Sequence, residues 1–599
     1  MRRREFLAAM PPLAASVAAQ GVRAAAPAAS TDTRLQRPDV RAGDRVVGAS
    51  FATRSLVYGA NGAAACAHPL ATLAGIEMLK RGGSAADAAI AMNACLGFLE
   101  PTACGIGGDL YAMLWSPSEA RVVGLASSGR SPATLDLATA RSRARNGALP
   151  SRGAVTVTVP GAVAGWWTLH QRYGRLPWAQ VLEPAITMCE TGAPMAPMIA
   201  QYLRLNMDSF HRPNAGVEEI DNAVATWASG GQTPAEGELF RNPTLARTYQ
   251  LIAAGGRDAY YDGPIADVIE AYFRRIGGWL TRRDLAAHQA EWSTPLTTRY
   301  RGVDVYALAA NTQGIATLQM LNLLEQFDMT GNGYLSAKSL HLQVEVKRLV
   351  YADRARYYAD PEFAGVPVDW LISRQYAAER AKLIHPQRIS DAVPPGQAPA
   401  RGDTTYLTVA DGQGMMVSLI QSNFRGMGSG LVADGLGFMF HDRGQLFVLD
   451  DGHPNQYAPA KRPFQTIIPG FATRNDAPWL SFGVMGGDMQ PQGQVQVLHS
   501  LLDHGLDTQA AGDAPRWHHE GSAERMGEDA PGMGPRGLLR LESGIPQATR
   551  KGLVKIGWTI GESDGGFGRY HCVERRLIGA APVYAATSDM RADGLPLAY

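Results

Sequence analysis

The chain has 599 residues and a mass of 64.1 kDa, enough for a large core. Its 56 basic residues nearly balance 55 acidic ones, giving a net charge of +1, and no basic block or stripe appears. That balance excludes a nucleic-acid or membrane-surface partner of the electrostatic kind, and no stretch has about 18 uninterrupted apolar residues, so no membrane span is expected.

Arg2-Arg3-Arg4-Glu5-Phe6-Leu7 precedes an alanine-rich stretch, and Ala24-Ala25-Ala26 offers small residues for a signal peptidase. Adjacent arginines before Phe-Leu resemble a twin-arginine export signal, so residues 1–26 are set aside from the fold, and a periplasmic or secreted protein is expected. Five cysteines at irregular spacing make no disulfide framework, although a Cys66–Cys95 pair stays open in an exported protein.

The first elements in chain order are a short buried strand at Ala64–Ala67 and a helix opened by His68-Pro69 and closed by Gly82-Gly83. A second helix, Ser84–Leu99, carries Ser84 and Asp87 three apart, close to a capping box, and is nearly all small or apolar. Gly105-Ile106-Gly107-Gly108-Asp109 follows and runs into a strand at Leu110–Trp115. Phosphate-cradling loops run the other way, from strand into helix, so this one is not read as a nucleotide site. Residues 160–400 are mostly helical by pattern, with helices over Val163–Tyr173, Trp178–Cys189 and Ser336–Ala359 and a strand at Gly302–Leu308.

Pro394, Pro395, Gly396, Pro399 and Gly402 make residues 390–402 the clearest loop in the chain. It ends just before Asp403-Thr404-Thr405. A hairpin follows, Thr405–Val409 and Met415–Gln421 around an Asp411-Gly412-Gln413-Gly414 turn. Strands are expected at Gly437–Phe440, Trp479–Val484, Leu538–Leu541 and Val583–Thr587, and a helix at Val495–Asp503. His518-His519-Glu520 lacks the spacing of a metal site, Trp166-Trp167 reads as core packing, and no cofactor or metal is expected.

Two adjacent threonines at a strand start are ordinary. What sets Thr404 apart is its neighbourhood. A threonine becomes a strong nucleophile once it is the first residue of a chain, because its own α-amine can take the hydroxyl proton. The preceding loop can be cut, the following strand can hold the residue rigid, and Gly486-Gly487 can bring backbone N–H donors to an oxyanion.

The wider pattern resembles the γ-glutamyltransferase family of N-terminal nucleophile hydrolases. The matching segments span nearly the whole mature chain: Ala67-His68-Pro69-Leu70-Ala71, Gly82 to Ala89, Glu100-Pro101, Gly105 to Gly108, Pro160-Gly161, Asp403-Thr404-Thr405, Lys461-Arg462-Pro463, Gly486-Gly487, Ala514-Pro515-Arg516 and Ser588-Asp589-Met590-Arg591. The resemblance implies an α+β fold, a four-layer αββα sandwich made as an inactive precursor. Cleavage between Asp403 and Thr404 would give a large subunit, 27–403, and a small one, 404–599, that stay together as a heterodimer forming one composite domain. Thr404 would then be the nucleophile, with Ser422 against its amine and Gly486 and Gly487 at the oxyanion hole. Arg130 would face the substrate's α-carboxylate, a role its planar fork suits; a structural surface salt bridge is the other reading of Arg130.

The departures bear on substrate. In γ-glutamyl enzymes an acidic residue holds the substrate's α-amino group; here the aligned position is Leu446, although Asp442 lies nearby. Gln465-Thr466 replaces a serine pair, Tyr406 a histidine, and Asn423 is followed by Phe424. A buried ammonium without a carboxylate partner is costly, whereas Arg130 and Arg443, with Thr466, suit a carboxylate without an amine. Gln421-Ser422-Asn423, His441 to Gly444 and Gly486 to Gln492 look more like the family's acylase and oxamate-amidohydrolase branches. The expectation is a self-processing amidohydrolase or acyltransferase acting on a carboxylate-bearing small-molecule amide; a true γ-glutamyltransferase or glutathione hydrolase is the alternative. An unprocessed, non-catalytic binding protein of the same fold is the alternative of another class, against which the intact Thr404 and glycine pair speak. A redox enzyme exported by the twin-arginine route would need a cofactor site that the sequence does not offer.

Overall fold

A computed structural model describes residues 53–309, 311–390, 403–521, 536–563, 565–579 and 581–599, together with the backbone of 40–41 and 44–45. The export signal, and the loop before Thr404 from 391 to 402, lie outside the described residues.

The strands pair into two seven-stranded sheets. One runs, edge to edge, through Leu595–Ala598, Gly62–Cys66, Asp403–Asp411, Met416–Phe424, Asp109–Ser116, Arg121–Ser127 and Glu291–Ser293. The other runs through Leu296–Tyr300, Val303–Ala307, Gly470–Arg474, Ala477–Val484, Tyr570–Ile578, Ala581–Ser588 and Val57–Gly59. Every pairing within them is antiparallel. Their inner faces meet in a core that includes Tyr111, Met113, Tyr406, Ile420, Phe471, Met485 and Val573. Gly483 is required there, since a Cβ would stand 2.4 Å from the Tyr406 ring.

Helices cover both outer faces. Pro69–Lys80, Ala85–Leu99, Ala162–Tyr173, Trp178–Thr191 and Pro243–Tyr261 share one apolar core with the first sheet. Gly314–Leu324, Ala337–Tyr357, Met489–Leu502 and Gln547–Ile556 share another with the second. The result is the αββα sandwich, in which the central strands are buried on two sides and read as continuous runs rather than alternations, while edge strands such as Leu296–Tyr300 still alternate. Met416–Phe424 is buried at every position.

Most elements fall where sequence patterning places them. The Ala85–Leu99 helix carries the expected capping box, with Ser84 and Asp87 satisfying each other's backbone N–H, and all fifteen of its residues are buried. Two expectations change. Gly437–Phe440 is not a strand: only Met439 bridges, to Val432. Gly435 and Gly437 adopt positive φ, and Phe440 N donates instead to Leu431 O. The helix expected at Val495 starts six residues earlier, at Met489, directly after the glycine pair. The cysteines are free and buried; burial pushes the Cys66 thiol up to about 12, and its Sγ lies 3.1 Å from Thr72 Oγ1.

The glycine-rich loop at 105–108 is a packing hub. Gly105 N donates to Gln421 Oε1 (3.0 Å), Gln421 Nε2 returns a bond to Gly105 O (2.6 Å), and His441 N donates to Gly107 O (2.9 Å). A Cβ on Gly107 would stand 2.1 Å from Met439 O. Gly107→Ala should therefore cost about 3 kcal/mol or more, read as a lower thermal midpoint and soluble yield. Gly365→Ala, where a Cβ meets nothing within 4 Å, should stay within about 0.5 kcal/mol; equal midpoints for the two variants would contradict this account of the loop.

Candidate active site

Thr404 sits one residue inside an inner strand of the first sheet and is wholly buried. Pairing slips there: Asp403 faces Phe424 while Thr405 faces Gln421, so the Met416–Phe424 strand carries one extra residue. Such a bulge re-aims side chains, and bulges concentrate beside active sites. Here it brings Ser422 Oγ within 3.4 Å of Thr404 Oγ1, which donates to it, and Ser422 Oγ also accepts from Phe424 N at 2.7 Å. Phe424 has φ +76°, a strained conformation for a bulky residue.

Gln490, in the first turn of the Met489–Leu502 helix, approaches from the other sheet. Its Nε2 donates to Thr404 Oγ1 at 3.3 Å, and its Oε1 accepts from Ile468 N at 2.9 Å. The glycine pair precedes that helix with φ +110° at Gly486 and +56° at Gly487, values L side chains resist. The carbonyls of the pair take the local hydrogen bonds: Gly486 O accepts Met489 N (3.0 Å), and Gly487 O accepts Gln490 N (3.1 Å) and Gln313 Nε2 (2.8 Å). Behind Gly487, Arg354 Nη1 donates to Asp488 Oδ1 at 2.8 Å and to Gln313 Oε1, and Tyr351 donates to Asp488 O at 2.5 Å. A buried ion pair thus props the turn.

A second clamp holds the threonine pair itself. Glu100 ends the Ala85–Leu99 helix, 1% exposed. Its Oε2 accepts from Thr405 Oγ1 at 2.6 Å, and its Oε1 pairs with Arg569 Nη1 at 2.6 Å. Arg569 Nη2 then donates to Thr404 O at 2.7 Å. Both ends of the Thr404–Thr405 peptide unit are therefore fixed by charge-assisted bonds, the strong class.

Arg443 and Thr466 meet: Nη1 donates to Thr466 Oγ1 at 2.9 Å, with the guanidinium 4.9 Å over the Phe424 ring. Burial pushes Arg443 down to about 10, against the pull of Asp109 and Asp442. Burial likewise raises those carboxyls, Asp109 to about 6 and Asp442 to about 7, with Arg443 and Arg425 respectively opposing the shift. Thr466 O accepts Gln313 Nε2 at 2.6 Å, which joins this group to Gly487. Arg130 stands apart. Its Nη2 pairs with Glu362 at 2.7 Å, its Nη1 donates to Ala460 O at 3.1 Å, and its side chain is 32% exposed.

The structure thus gathers Thr404, Ser422, Gly486, Gly487, Thr466 and Arg443 around one junction of the two sheets and engages Arg130 elsewhere; nothing is described of the Asp403 side chain. Glu100, Arg569, Gln490, Gln313 and Asp109 escaped the sequence reading as site residues. Glu100, Asp109 and Gln490 each stand within a motif, Glu100-Pro101, Gly105 to Asp109 and Gly486 to Gln492, whereas Arg569 carries no local signal.

Comparison with known proteins agrees with this fold. The sequence profile of gamma-glutamyltranspeptidases matches residues 71–599. A glutathione hydrolase-like proenzyme, YwrD of Bacillus subtilis, is 34% identical over 75% of this chain and 83% of its own length. The oxamate amidohydrolase proenzyme of Klebsiella pneumoniae is 32% identical over 76% and 85%. Among solved structures, a cephalosporin acylase from Bacillus halodurans superposes with a TM-score of 0.83 at 37% identity, covering 92% of this chain and 97% of its own.

Glu100→Gln keeps the shape of the clamp and removes its charge. The appearance of two chains on a denaturing gel should slow by about 10- to 100-fold, with little change in thermal midpoint, and Arg569→Lys should slow it comparably. Processing at the unmodified rate in both variants would contradict the role of the clamp.

Proposed function

This chain belongs to the gamma-glutamyltranspeptidase family, and on that premise we propose that it is a self-processing amidohydrolase whose nucleophile is Thr404. The family's hydrolases and acylases make it an enzyme formed as a proenzyme. The observation that carries the finer reading is Thr404 Oγ1, buried at the sheet junction between Ser422 Oγ at 3.4 Å and Gln490 Nε2 at 3.3 Å.

Maturation begins when Thr404 Oγ attacks the carbonyl carbon of Asp403. The Asp403–Thr404 C–N bond breaks, the hydroxyl proton passes to the departing nitrogen, and an ester joins Asp403 to Thr404 Oγ. Water hydrolyses it, leaving a carboxylate on Asp403 and a free α-amine on Thr404. That amine is the general base of the mature enzyme, with Ser422 against it. In turnover it takes the Thr404 proton as Oγ attacks the substrate amide. The oxyanion is held by N–H groups of Gly486 and Gly487, a donor type worth about 10²–10³ in rate each. The amine product leaves with the proton, and water, or an acceptor amine, resolves the acyl-enzyme.

The large subunit, 27–403, and the small one, 404–599, stay together because neither can complete either seven-stranded sheet alone. The strand beginning at Asp403 lies between Gly62–Cys66 from the large part and Met416–Phe424 from the small, and Asp109–Ser116 pairs on the far side. The substrate is a small carboxylate-bearing amide, as the similarity to an oxamate amidohydrolase and the buried Arg443 suggest. A γ-glutamyl substrate is the second reading, favoured by one observation: Asp442 Oδ2 is buried without a partner and could accept from an ammonium. Residues 1–26 serve as the export signal. Among the described residues no helix is long and apolar enough to cross a membrane.

Thr404→Ala should abolish self-cleavage and lower amide hydrolysis by about 10³-fold or more, while Thr404→Ser retains part of each; activity persisting in the alanine variant would refute the nucleophile. In initial-rate assays, glutaryl- and oxamate-type amides should outrun γ-glutamyl-4-nitroanilide. The reverse order would establish the second reading.

A further inference from the structure

Arg443 leaves a whole edge of its guanidinium without a partner, and that edge specifies an anionic ligand. It lies in the short Arg443–Leu446 turn, 0% exposed. Nη1 is spent on Thr466 Oγ1, but Nε and Nη2 have no hydrogen-bond partner. These two nitrogens share one edge of the guanidinium, the edge that takes a carboxylate side-on with two parallel bonds. Leaving that edge bare and buried is expensive.

The neighbouring acids do not fill it. Asp109 Oδ1 accepts Gly129 N at 3.2 Å and Oδ2 accepts Gln465 Nε2 at 2.7 Å. Asp442 Oδ1 accepts Arg425 N at 3.1 Å, and its Oδ2 bonds to nothing. Both carboxyls are pushed up by burial, whereas Arg443 keeps its charge at neutral pH. The guanidinium is held in place from two sides: the strained Phe424 ring lies under it, and Phe424 N bonds to the Ser422 hydroxyl that meets Thr404. On the other side Thr466 ties it through Gln313 to Gly487. A carboxylate on the bare edge would sit between the anchors of the nucleophile and of the oxyanion turn.

Arg130 has no such edge to offer. Glu362 and Ala460 O occupy it, Arg462 shares Glu362, and Asp360 lies 3.8 Å away. The adjoining cavity of about 170 Å³ is lined by Glu291 and Glu362 against Arg462, an environment that repels a further carboxylate.

Resting on the reading of Thr404 as nucleophile, we propose that the carboxylate of the substrate's acyl group binds side-on to Nε and Nη2 of Arg443, with Thr466 orienting the guanidinium, and that Arg130 serves instead in the surface ion-pair network with Glu362 and Arg462. The enzyme therefore selects ω-carboxyacyl amides over neutral acyl amides of equal length.

The test compares kcat/KM for glutaryl-4-nitroanilide with that for its neutral counterpart, pentanoyl-4-nitroanilide, in the matured wild type, Arg443→Gln, Arg443→Lys, Thr466→Val and Arg130→Gln. Self-cleavage at Thr404 is recorded for each variant, so that failure to mature is told apart from failure of selection. The wild type should favour the carboxylate by about 100-fold or more. The ratio should collapse towards one in Arg443→Gln, fall about tenfold in Thr466→Val, recover partly in Arg443→Lys and stay unchanged in Arg130→Gln. A turnover-free arm follows thermal midpoints with oxamate, succinate and glutarate, at least one of which should raise the midpoint of wild type and Arg130→Gln but not of Arg443→Gln. Loss of the ratio or of the thermal shift in Arg130→Gln with retention in Arg443→Gln would overturn the assignment, as would a wild type that self-cleaves yet shows neither selectivity nor a shift. A wild type that never cleaves at Thr404 would instead remove the reading of the nucleophile on which the assignment rests.

Discussion

Everything at the site depends on holding one peptide unit still. Thr404 lies near the start of a strand that pairs with Met416–Phe424 from Asp403 on and with Gly62–Cys66 from Leu407 on, and it is wholly buried, so its backbone has little freedom to wander. The Glu100–Arg569 pair adds charge-assisted bonds to Thr405 Oγ1 and Thr404 O. A nucleophile that must first attack its own neighbouring carbonyl and later a substrate gains from such rigidity, because orientation replaces entropy that a mobile residue would have to lose at each attack. The bulge opposite Thr404 is the complementary device: one extra residue in the Met416–Phe424 strand turns Ser422 towards the hydroxyl and strains Phe424 into the position that supports Arg443.

The sandwich also explains how a chain can be cut in its core without falling apart. The proposed cut falls at the start of an inner strand, and the parts on either side supply interleaved strands to both sheets. Apolar burial between the sheets and under two helical layers is unaffected by breaking one peptide bond. The glycine-rich turn at 105–108 has its place in the same design: it locks the Ala85–Leu99 helix and the Asp109–Ser116 strand onto the end of the hairpin, and it is rich in glycine because backbone from Met439 and Ser422 fills the space where side chains would go.

Much of this was legible in the chain. Local features announce themselves through local chemistry, so the capping box at Ser84 and Asp87, the hairpin after Thr405 and the glycine pair at 486–487 could be read directly. Burial on two faces blurred the rest: with every residue of Met416–Phe424 inside, no alternation marks its ends. Gly437–Phe440 looked like a strand because Phe438 and Phe440 have strand composition, but positive φ at Gly435 and Gly437 breaks the extended run. The site was half visible. Thr404, Ser422 and the glycines stand in motifs, whereas Glu100 and Arg569 act only as a pair separated by most of the chain, and no spacing rule records such a pair. Arg130 illustrates the converse: its motif is intact, yet acids from distant segments, Glu362 and Asp360, have claimed its fork.

The central claim is that Thr404 becomes a chain terminus by the protein's own chemistry. The most direct measurement is N-terminal sequencing and intact mass of the chains in the purified wild-type protein, incubated without any protease. The account predicts two chains held together under native conditions, the smaller beginning at Thr404 and carrying a free α-amine. A single uncut chain in protein that hydrolyses amides, or a small chain beginning at any other residue, would contradict it.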